Sequence, residues 1–276
     1  MTVTLDVFTS AARTLPNGGT FSPTTSTLVL GTTEAVLIDT QYSADDVDEV
    51  IRRIDTSGRT LTAVFVTHAH PDHYFGLERL LRRFPRTEAL ASTAVAEEIK
   101  RNLEGDRVRW AEYHAGAALD NTVVPDALIG SSLHVDGAVL EIVEIPQADI
   151  SPASIVHIPA ISAVIAGDAI YNGVNPFLGA CAPADWPKWI ESVDLIAGLD
   201  PEIVVAGHKR PELGDTPHAI AETRRFLELF IQGVAELETP RDLVASMHDA
   251  FPDFENSSAL AFSAVTAFKR KKSQNA

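Results

Sequence analysis

Short apolar runs alternate with amphipathic segments along most of the chain. Apolar residues at Leu28–Leu30 and Ala35–Ile38 flank a glycine-containing turn and predict two paired strands. The next segment has a helical period, with Ser43 as its N-cap and Gly58 just after its end. A buried strand is then predicted from Leu61 to Thr67. Strands and helices that alternate in this way indicate an α/β fold.

The same alternation continues through the second half of the sequence. Helices are predicted around apolar stripes at 77–84, 94–113, 186–193 and 226–234, and strands at 135–145, 154–158, 161–166 and 203–206. The sequence contains no repeat, linker or low-complexity segment. We therefore expect a single domain over residues 1–276, with a helical C-terminal tail from about residue 216.

Composition narrows the classes of partner. The net charge is −16 at pH 7, which argues against a nucleic-acid or anionic-membrane partner and favours a small-molecule substrate. Cys181 is the only cysteine, so no disulfide framework is expected. No signal peptide and no membrane-spanning apolar run is visible, and the prediction is a cytoplasmic protein.

The strand that begins at Leu61 leads into the segment His68-Ala69-His70-Pro71-Asp72-His73. Burying this many ligand-type side chains is costly unless a cation orders them. A histidine-rich surface loop is the alternative, but these residues directly follow a buried strand. His68 and His70 point to the same side of an extended segment, since side chains alternate with period two. Asp72 and His73 follow Pro71 and can face a second position, which suits two metals that share a water.

Two more predicted strands end in ligand-type side chains. The run Val164-Ile165-Ala166-Gly167 leads to Asp168, and the run Val204-Val205-Ala206-Gly207 leads to His208. Either residue alone could serve as a turn or cap residue. Three strands that all end in metal-ligand residues favour one common site, and the glycine before each ligand lets the backbone approach a crowded centre.

These motifs resemble the metallo-β-lactamase superfamily, the αβ/βα metallohydrolases, over about Thr20–His208. The context of Asp168 and His208 resembles a subgroup distinct from the true β-lactamases. The resemblance implies a four-layer αβ/βα sandwich of two mixed β-sheets flanked by helices. It also implies one or two divalent ions per chain, with zinc expected and iron or manganese as alternatives. By this resemblance the first metal is held by His68 and His70, the second by Asp72, His73 and His208, and Asp168 bridges the two.

One ligand departs from the family pattern. The position of a further first-metal histidine falls in Ile145-Pro146-Gln147-Ala148-Asp149, and alignment on the following strand puts Gln147 there. An amide oxygen is a weaker ligand than imidazole for a borderline metal, so the first site is expected to bind metal less tightly than the second. Asp149 and His157 are the candidates to replace Gln147.

The ligand set predicts a hydrolase in which a metal-bound hydroxide attacks an ester, lactone, amide or thioester. Asp72 and Asp168 would orient the water, and Tyr171 or Tyr74 would donate to the oxygen that gains charge. Two other classes stay open. One is an iron-dependent oxygenase of the same fold, and the other is a non-catalytic metal-binding or sensing protein that lost activity through Gln147.

Overall fold

Two mixed sheets pack face to face and carry helices on their outer sides in the computed structural model, which describes residues 3–16 and 18–274. The strands of the first half are β1 (Thr4–Thr9), β2 (Arg13–Thr14), β3 (Thr20–Phe21), β4 (Thr25–Leu30), β5 (Glu34–Ile38), β6 (Thr60–Val66), β7 (Glu88–Ala91) and β8 (Asp126–Ala127). Its helices are α1 (Ala44–Ser57), α2 (Pro71–Tyr74), α3 (Leu77–Arg83) and α4 (Thr93–Tyr113).

The second half has the same kinds of element. Its strands are β9 (Ser132–Val135), β10 (Ala138–Ile145), β11 (Ala153–Ile158), β12 (Ala163–Ile165), β13 (Tyr171–Asn172), β14 (Ile203–Val205) and β15 (His208–Lys209). Its helices are α5 (Trp186–Gly198), α6 (His218–Glu236), α7 (Pro240–Ala250) and α8 (Ser257–Gln274), with 3-10 turns at Pro159–Ile161 and Gly167–Ala169.

The strand order brings the ligand-bearing ends to one edge of the sandwich. The first sheet runs β1-β4-β5-β6-β7-β8, and the second runs β14-β12-β11-β10-β9. Strands β5, β6 and β7 are mutually parallel, as are β12 and β14. The backbone N–H of Ser154, at the start of β11, donates to the carbonyl oxygen of Thr67 at the end of β6 (2.9 Å). This bond joins the two sheets at the edge where β6, β10, β12 and β14 all end.

Three apolar clusters correspond to the three interfaces of a four-layer structure. The central cluster lies between the sheets and includes Phe65, Val156 and Val205. A second cluster packs the first sheet against α1, α3 and α4, and a third packs the second sheet against α5 to α8. The predicted αβ/βα sandwich is therefore confirmed, and each sheet has one face on the central core and one under helices.

Local signals set the boundaries of most predicted elements. Ser43 Oγ accepts from the backbone N–H of Asp46 and caps α1, and Gly58 ends that helix with φ 67°. The sequence pattern did not predict β1, which pairs antiparallel with β4 at the edge of the first sheet. The predicted helical tail from about residue 216 divides into α6, α7 and α8, which all pack into the third cluster. Among the described residues, no helix combines the length and apolar character needed to cross a membrane.

Candidate metal centre

The histidine segment adopts the turn that its proline predicts. His70 is extended and precedes α2, and Pro71 occupies the first turn of that short helix. Asp72 and His73 therefore lie on the helical backbone of α2, after the turn at Pro71. His68, Asp72 and His73 are all buried, so the segment delivers two sets of ligand-type side chains into the interior.

The first set consists of His68, His70, Asp149 and Asp168, whose ligand atoms all lie within 4.8 Å of one another. His70 Nδ1 is 2.8 Å from Asp149 Oδ2. His68 Nε2 is 3.9 Å from Asp149 Oδ1 and 3.8 Å from Asp168 Oδ2. Two imidazoles and two carboxylates thus converge at the ends of β6, β10 and β12.

The second set consists of Asp72, His73 and His208, again with ligand atoms within 4.8 Å of one another. Asp168 lies against this set too, with Oδ1 3.2 Å from His73 Nε2 and Oδ2 3.1 Å from His208 Nε2. Asp168 is therefore the one carboxylate placed between both sets. Its approach depends on Gly207, where an added Cβ would lie 2.1 Å from Asp168 Oδ1.

Hydrogen bonds on the far side of each ring fix which histidine nitrogen faces the site. His208 Nδ1 lies 2.8 Å from the carbonyl oxygen of Pro23, an acceptor only, so Nδ1 carries the proton. His73 Nδ1 lies 3.0 Å from Asp39 Oδ2 in the same way. When Nε2 of either ring is unprotonated, its lone pair points to the shared centre, as metal ligation requires.

Nδ1 of His68 is protonated as well, through a chain of two hydrogen bonds that runs by way of Thr67 to Asp39. Thr67 Oγ1 donates its single proton to Asp39 Oδ2 (2.8 Å), so it must accept the proton of His68 Nδ1, 3.0 Å away. Asp39 Oδ1 accepts from the backbone N–H of Thr67 as well (2.8 Å). One buried carboxylate outside the two ligand sets therefore orients two of the site histidines.

The residues present fit a bound metal. Among the described residues, His68 Nε2, His73 Nε2 and Asp168 Oδ1 are buried and have no hydrogen-bond partner. Leaving a buried polar atom unsatisfied costs about 1–3 kcal/mol, and a cation held by these atoms would remove that cost. Imidazole nitrogen and carboxylate oxygen are also ligand types that divalent metals such as zinc accept.

Charge within the site favours ionised carboxylates. Burial disfavours the charged form of Asp168, but His208, His73 and His68 around it hold its pKa well below the usual range. Burial raises the pKa of Asp149 to about 6, against the opposite effect of His70. Burial alone would lower the pKa of His70, but the charge of Asp149 outweighs it and raises that pKa to about 9. At pH 7 the carboxylates are in the form that binds cations.

The structure places Asp149 beside His68 and His70, and ligation by Gln147 stays a prediction. The backbone N–H of Gln147 donates to Ser192 Oγ on α5 (3.0 Å), and Gln147 is not among the described residues of the cavity beside the ligand sets. Asp149, two residues later, occupies the place next to His68 and His70, because the chain continues past Gln147 before it turns back into β11. His157 points elsewhere, with Nδ1 2.9 Å from Glu141 Oε2. A carboxylate here also removes the reason to expect a weak first site.

The two tyrosines predicted to donate to the substrate oxygen lie in different surroundings. Tyr171 is buried, and its hydroxyl donates to Asp168 Oδ2 (2.9 Å). The hydroxyl of Tyr74 instead donates to Asp106 Oδ2 on α4 (2.9 Å), and Tyr74 is not among the described residues that line the cavity. Of the two, the structure brings only Tyr171 to the ligand sets.

Sequence reasoning missed the residues behind the ligands, above all Asp39 and Thr67. Asp39 follows the buried strand β5 directly, much as Asp168 and His208 follow theirs. Applying the strand-end argument to every predicted strand would therefore have singled out Asp39. Thr67 carries no such signal, because a hydroxyl next to a histidine is common.

A cavity of about 520 Å³ opens onto both ligand sets. The polar part of its lining includes His70, Asp72, Asp149, Asp168, Tyr171 and His208. A volume in this range suits a small-molecule ligand.

A four-layer sandwich with His/Asp sets at one edge of its sheets is the framework of a metal-binding protein, and known proteins share this fold. The sequence model described as Metallo-beta-lactamase superfamily matches residues 19–208. That match covers more than half of the chain, so the protein belongs to the metallo-β-lactamase superfamily.

Solved structures show the same fold at low sequence identity. The metallo-beta-lactamase family protein TTHA1429 from Thermus thermophilus is 18% identical, with a TM-score of 0.67 over 98% of this chain and 93% of that one. A metallo-beta-lactamase from Pontibacter korlensis is 19% identical, with a TM-score of 0.63 over 81% and 94%. The DIM-1 metallo-beta-lactamase is 18% identical, with a TM-score of 0.62 over 81% and 92%. The alignment with TTHA1429 thus extends over nearly the whole chain.

Proposed function

We propose that this protein is a hydrolase that uses two divalent metals, most simply zinc, to cleave an ester, lactone, thioester or amide. Superfamily membership and the His/Asp sets support metal-dependent hydrolysis in general. The observation that carries the two-metal form is the position of Asp168 among histidines of both sets. Its Oδ1 lies 3.2 Å from His73 Nε2, and its Oδ2 lies 3.1 Å from His208 Nε2 and 3.8 Å from His68 Nε2.

The proposed ligand sets are His68, His70 and Asp149 for one metal and Asp72, His73 and His208 for the other, with Asp168 shared. When bound, metals in such a site would lower the pKa of a coordinated water to near 7 and polarise the carbonyl group whose carbon is attacked. The remaining roles fall to the chain itself. Asp39 and the Pro23 carbonyl keep the imidazole lone pairs pointed at the centre.

Asp72 and Tyr171 complete the site. Thr24 Oγ1 donates to Asp72 Oδ2 (3.0 Å) and holds this oxygen 3.4 Å from His73 Nε2 and 3.5 Å from His208 Nε2. The Tyr171 hydroxyl donates to Asp168, and the residue lines the cavity. The hydroxyl can turn its proton from Asp168 to a substrate oxygen that gains negative charge, as an oxyanion donor does.

A second candidate is an iron-dependent oxygenase. The grouping of His68 and His70 with Asp149 is a two-histidine, one-carboxylate set, a ligand type found in non-haem iron oxygenases. The second set argues for the hydrolase, because a one-iron site has no use for Asp72, His73 and His208. The non-catalytic alternative rested on Gln147 and loses that basis once Asp149 occupies the position.

Metal reconstitution with a substrate panel tests the proposal. Chelator-treated protein is reloaded with zinc, manganese or ferrous iron and assayed on neutral esters, lactones, thioesters and amides, with oxygen uptake measured in parallel. We expect zinc- or manganese-dependent hydrolysis without oxygen uptake. Iron-dependent oxygen uptake without hydrolysis would instead establish the second candidate.

Asp168→Asn with Asp106→Asn as its control tests the shared carboxylate. Both residues are buried and each accepts a tyrosine hydroxyl at 2.9 Å, but Asp106 lies outside the ligand sets. Asp168→Asn should lower hydrolysis by far more than tenfold, or about 1.4 kcal/mol in barrier, and reduce the bound metal, while Asp106→Asn keeps its metal. Activity of Asp168→Asn within about tenfold of the wild type would contradict the two-metal hydrolase.

A further inference from the structure

Building on the proposed hydrolase, we propose that its substrate carries an uncharged apolar group, an alkyl chain or an aromatic ring, that packs in the cavity against Phe177 and Phe262. Phe262 on α8 is the residue that sets the preference for this group. The cavity wall thus determines the substrate class, while the reaction itself rests on the metal centre.

Five aromatic side chains form part of the cavity wall beyond the ligands. On one side Phe21 packs edge-to-face on Trp110 (ring centroids 5.4 Å) and on Tyr113 (6.4 Å). On another side Phe177 stacks on Phe262 at 5.6 Å with 28° between the ring planes. All five rings line the cavity. Aromatic rings that hold one another in place give a pre-formed apolar surface, which binds apolar groups.

Phe262 has the placement of a ligand-contacting residue. It is 57% exposed although it lines the cavity, so part of its ring has no protein neighbour to bury it. The ring is nonetheless held in position, because Gly179 leaves the space it occupies: a Cβ at Gly179 would lie 2.5 Å from Phe262 Cδ1. A ligand that covers the open part of this ring gains apolar burial without rearranging the wall.

On the described part of the wall, away from the metal centre, no lysine or arginine is free to hold an anionic group of the substrate. Among the described lining residues, Arg109 is the only lysine or arginine, and its guanidinium donates to the buried carboxylate of Asp106. Lys209 follows His208 directly but is buried, with Nζ 2.6 Å from Asp215 Oδ1. The acidic lining residues are Asp72, Asp149 and Asp168. An uncharged group is therefore the better fit.

Binding of octan-2-one tests the inference without requiring any reaction. Its affinity is measured by calorimetry beside butan-2-one for the wild type, Phe262→Ala and Val265→Ala. Val265 is the matched control, because it lies about one turn along α8, is also 57% exposed, and is outside the described lining. We expect octan-2-one to bind more tightly than butan-2-one, which has the same ketone and a shorter apolar chain. Phe262→Ala should weaken it at least about fivefold through lost apolar contact, with Val265→Ala close to wild type.

Hydrolysis supplies the second measurement. The ratio of kcat/KM for 4-nitrophenyl octanoate to that for 4-nitrophenyl acetate should fall at least about fivefold in Phe262→Ala and stay unchanged in Val265→Ala. Binding of butan-2-one as tight as that of octan-2-one, or equal effects of the two substitutions, would overturn the inference. Ketone binding that depends on Phe262 in a protein that cleaves none of the esters would support the apolar site and count against the hydrolase. Ester cleavage with no dependence on Phe262 would support the hydrolase and count against the apolar site.

Discussion

Replacing Asp39 with asparagine tests how the protein orients its site histidines. Asp39 has φ 58°, in the left-handed region that asparagine tolerates well, so the backbone should survive the change. The carboxylate accepts three bonds, from the N–H and hydroxyl of Thr67 and from His73 Nδ1. An amide has one acceptor oxygen and one NH₂ group, so at least one of these donors would meet another donor.

The substitution Asp39→Asn should mainly lower the affinity of the protein for metal. Without its acceptor, the proton of His73 is free to move to Nε2, where it blocks ligation, and the hydrogen-bond chain through Thr67 to His68 is broken as well. Partners behind metal ligands typically contribute about 10–100-fold in affinity, which is about 1.4–2.8 kcal/mol. We expect Asp39→Asn to fall in this range. The free energy of unfolding of the metal-free protein should also fall, by about 1.5–3 kcal/mol for bonds to a charged group.

Chelator competition measures the affinity, and Asp136→Asn provides the control. Asp136 also has a positive φ, 47°, and accepts from Thr33 and Glu34 in the same manner, but it sits on the turn between β9 and β10 and outside the ligand sets. It should bind metal like the wild type. If Asp39→Asn kept a metal dissociation constant within about twofold of wild type, or if both variants lost affinity equally, the proposed orienting role would be refuted.

Further predictions concern the ligands and the metal. Asp149→Ala should lose one metal per chain by mass spectrometry, whereas Gln147→Ala and His157→Ala keep both; the opposite pattern would contradict the placement of Asp149. Tyr171→Phe should lower kcat by about tenfold or more, as loss of an oxyanion donor does, with metal content unchanged; loss of metal would make it only a support for Asp168. Removing metal held at about 100 times its Kd should cost about 2.7 kcal/mol per site and lower Tm by roughly 5–10 °C; an unchanged Tm would argue against a built metal site.

Most of the fold could be predicted because its strands and helices carry strong local patterns. The run from Leu61 to Thr67 and the Ser43 cap needed no tertiary information, and both appear as expected. Strand β1 was missed because an edge strand with half-buried positions has a weak pattern. The break between α7 and α8 was missed too, since both helices pack into one cluster and share its apolar character.

The candidate site could be predicted where ligands follow strands, and not where the chain is irregular. His68, Asp168 and His208 all come soon after buried runs, so the strand-end argument found them. Asp149 lies in the loop between β10 and β11, where neither period nor register fixes which side chain turns inward. The alignment pointed to Gln147, and a shift of two residues separates this amide from the carboxylate of Asp149.

Anomalous diffraction from crystals of the zinc-loaded protein tests the two-metal centre most directly. We predict two peaks, one within about 2.0–2.2 Å of His68, His70 and Asp149 and the other within the same range of Asp72, His73 and His208. Asp168 should contact both. A single peak at either set, or a metal bound on the Asp39 side of the histidines, would contradict the two-metal centre.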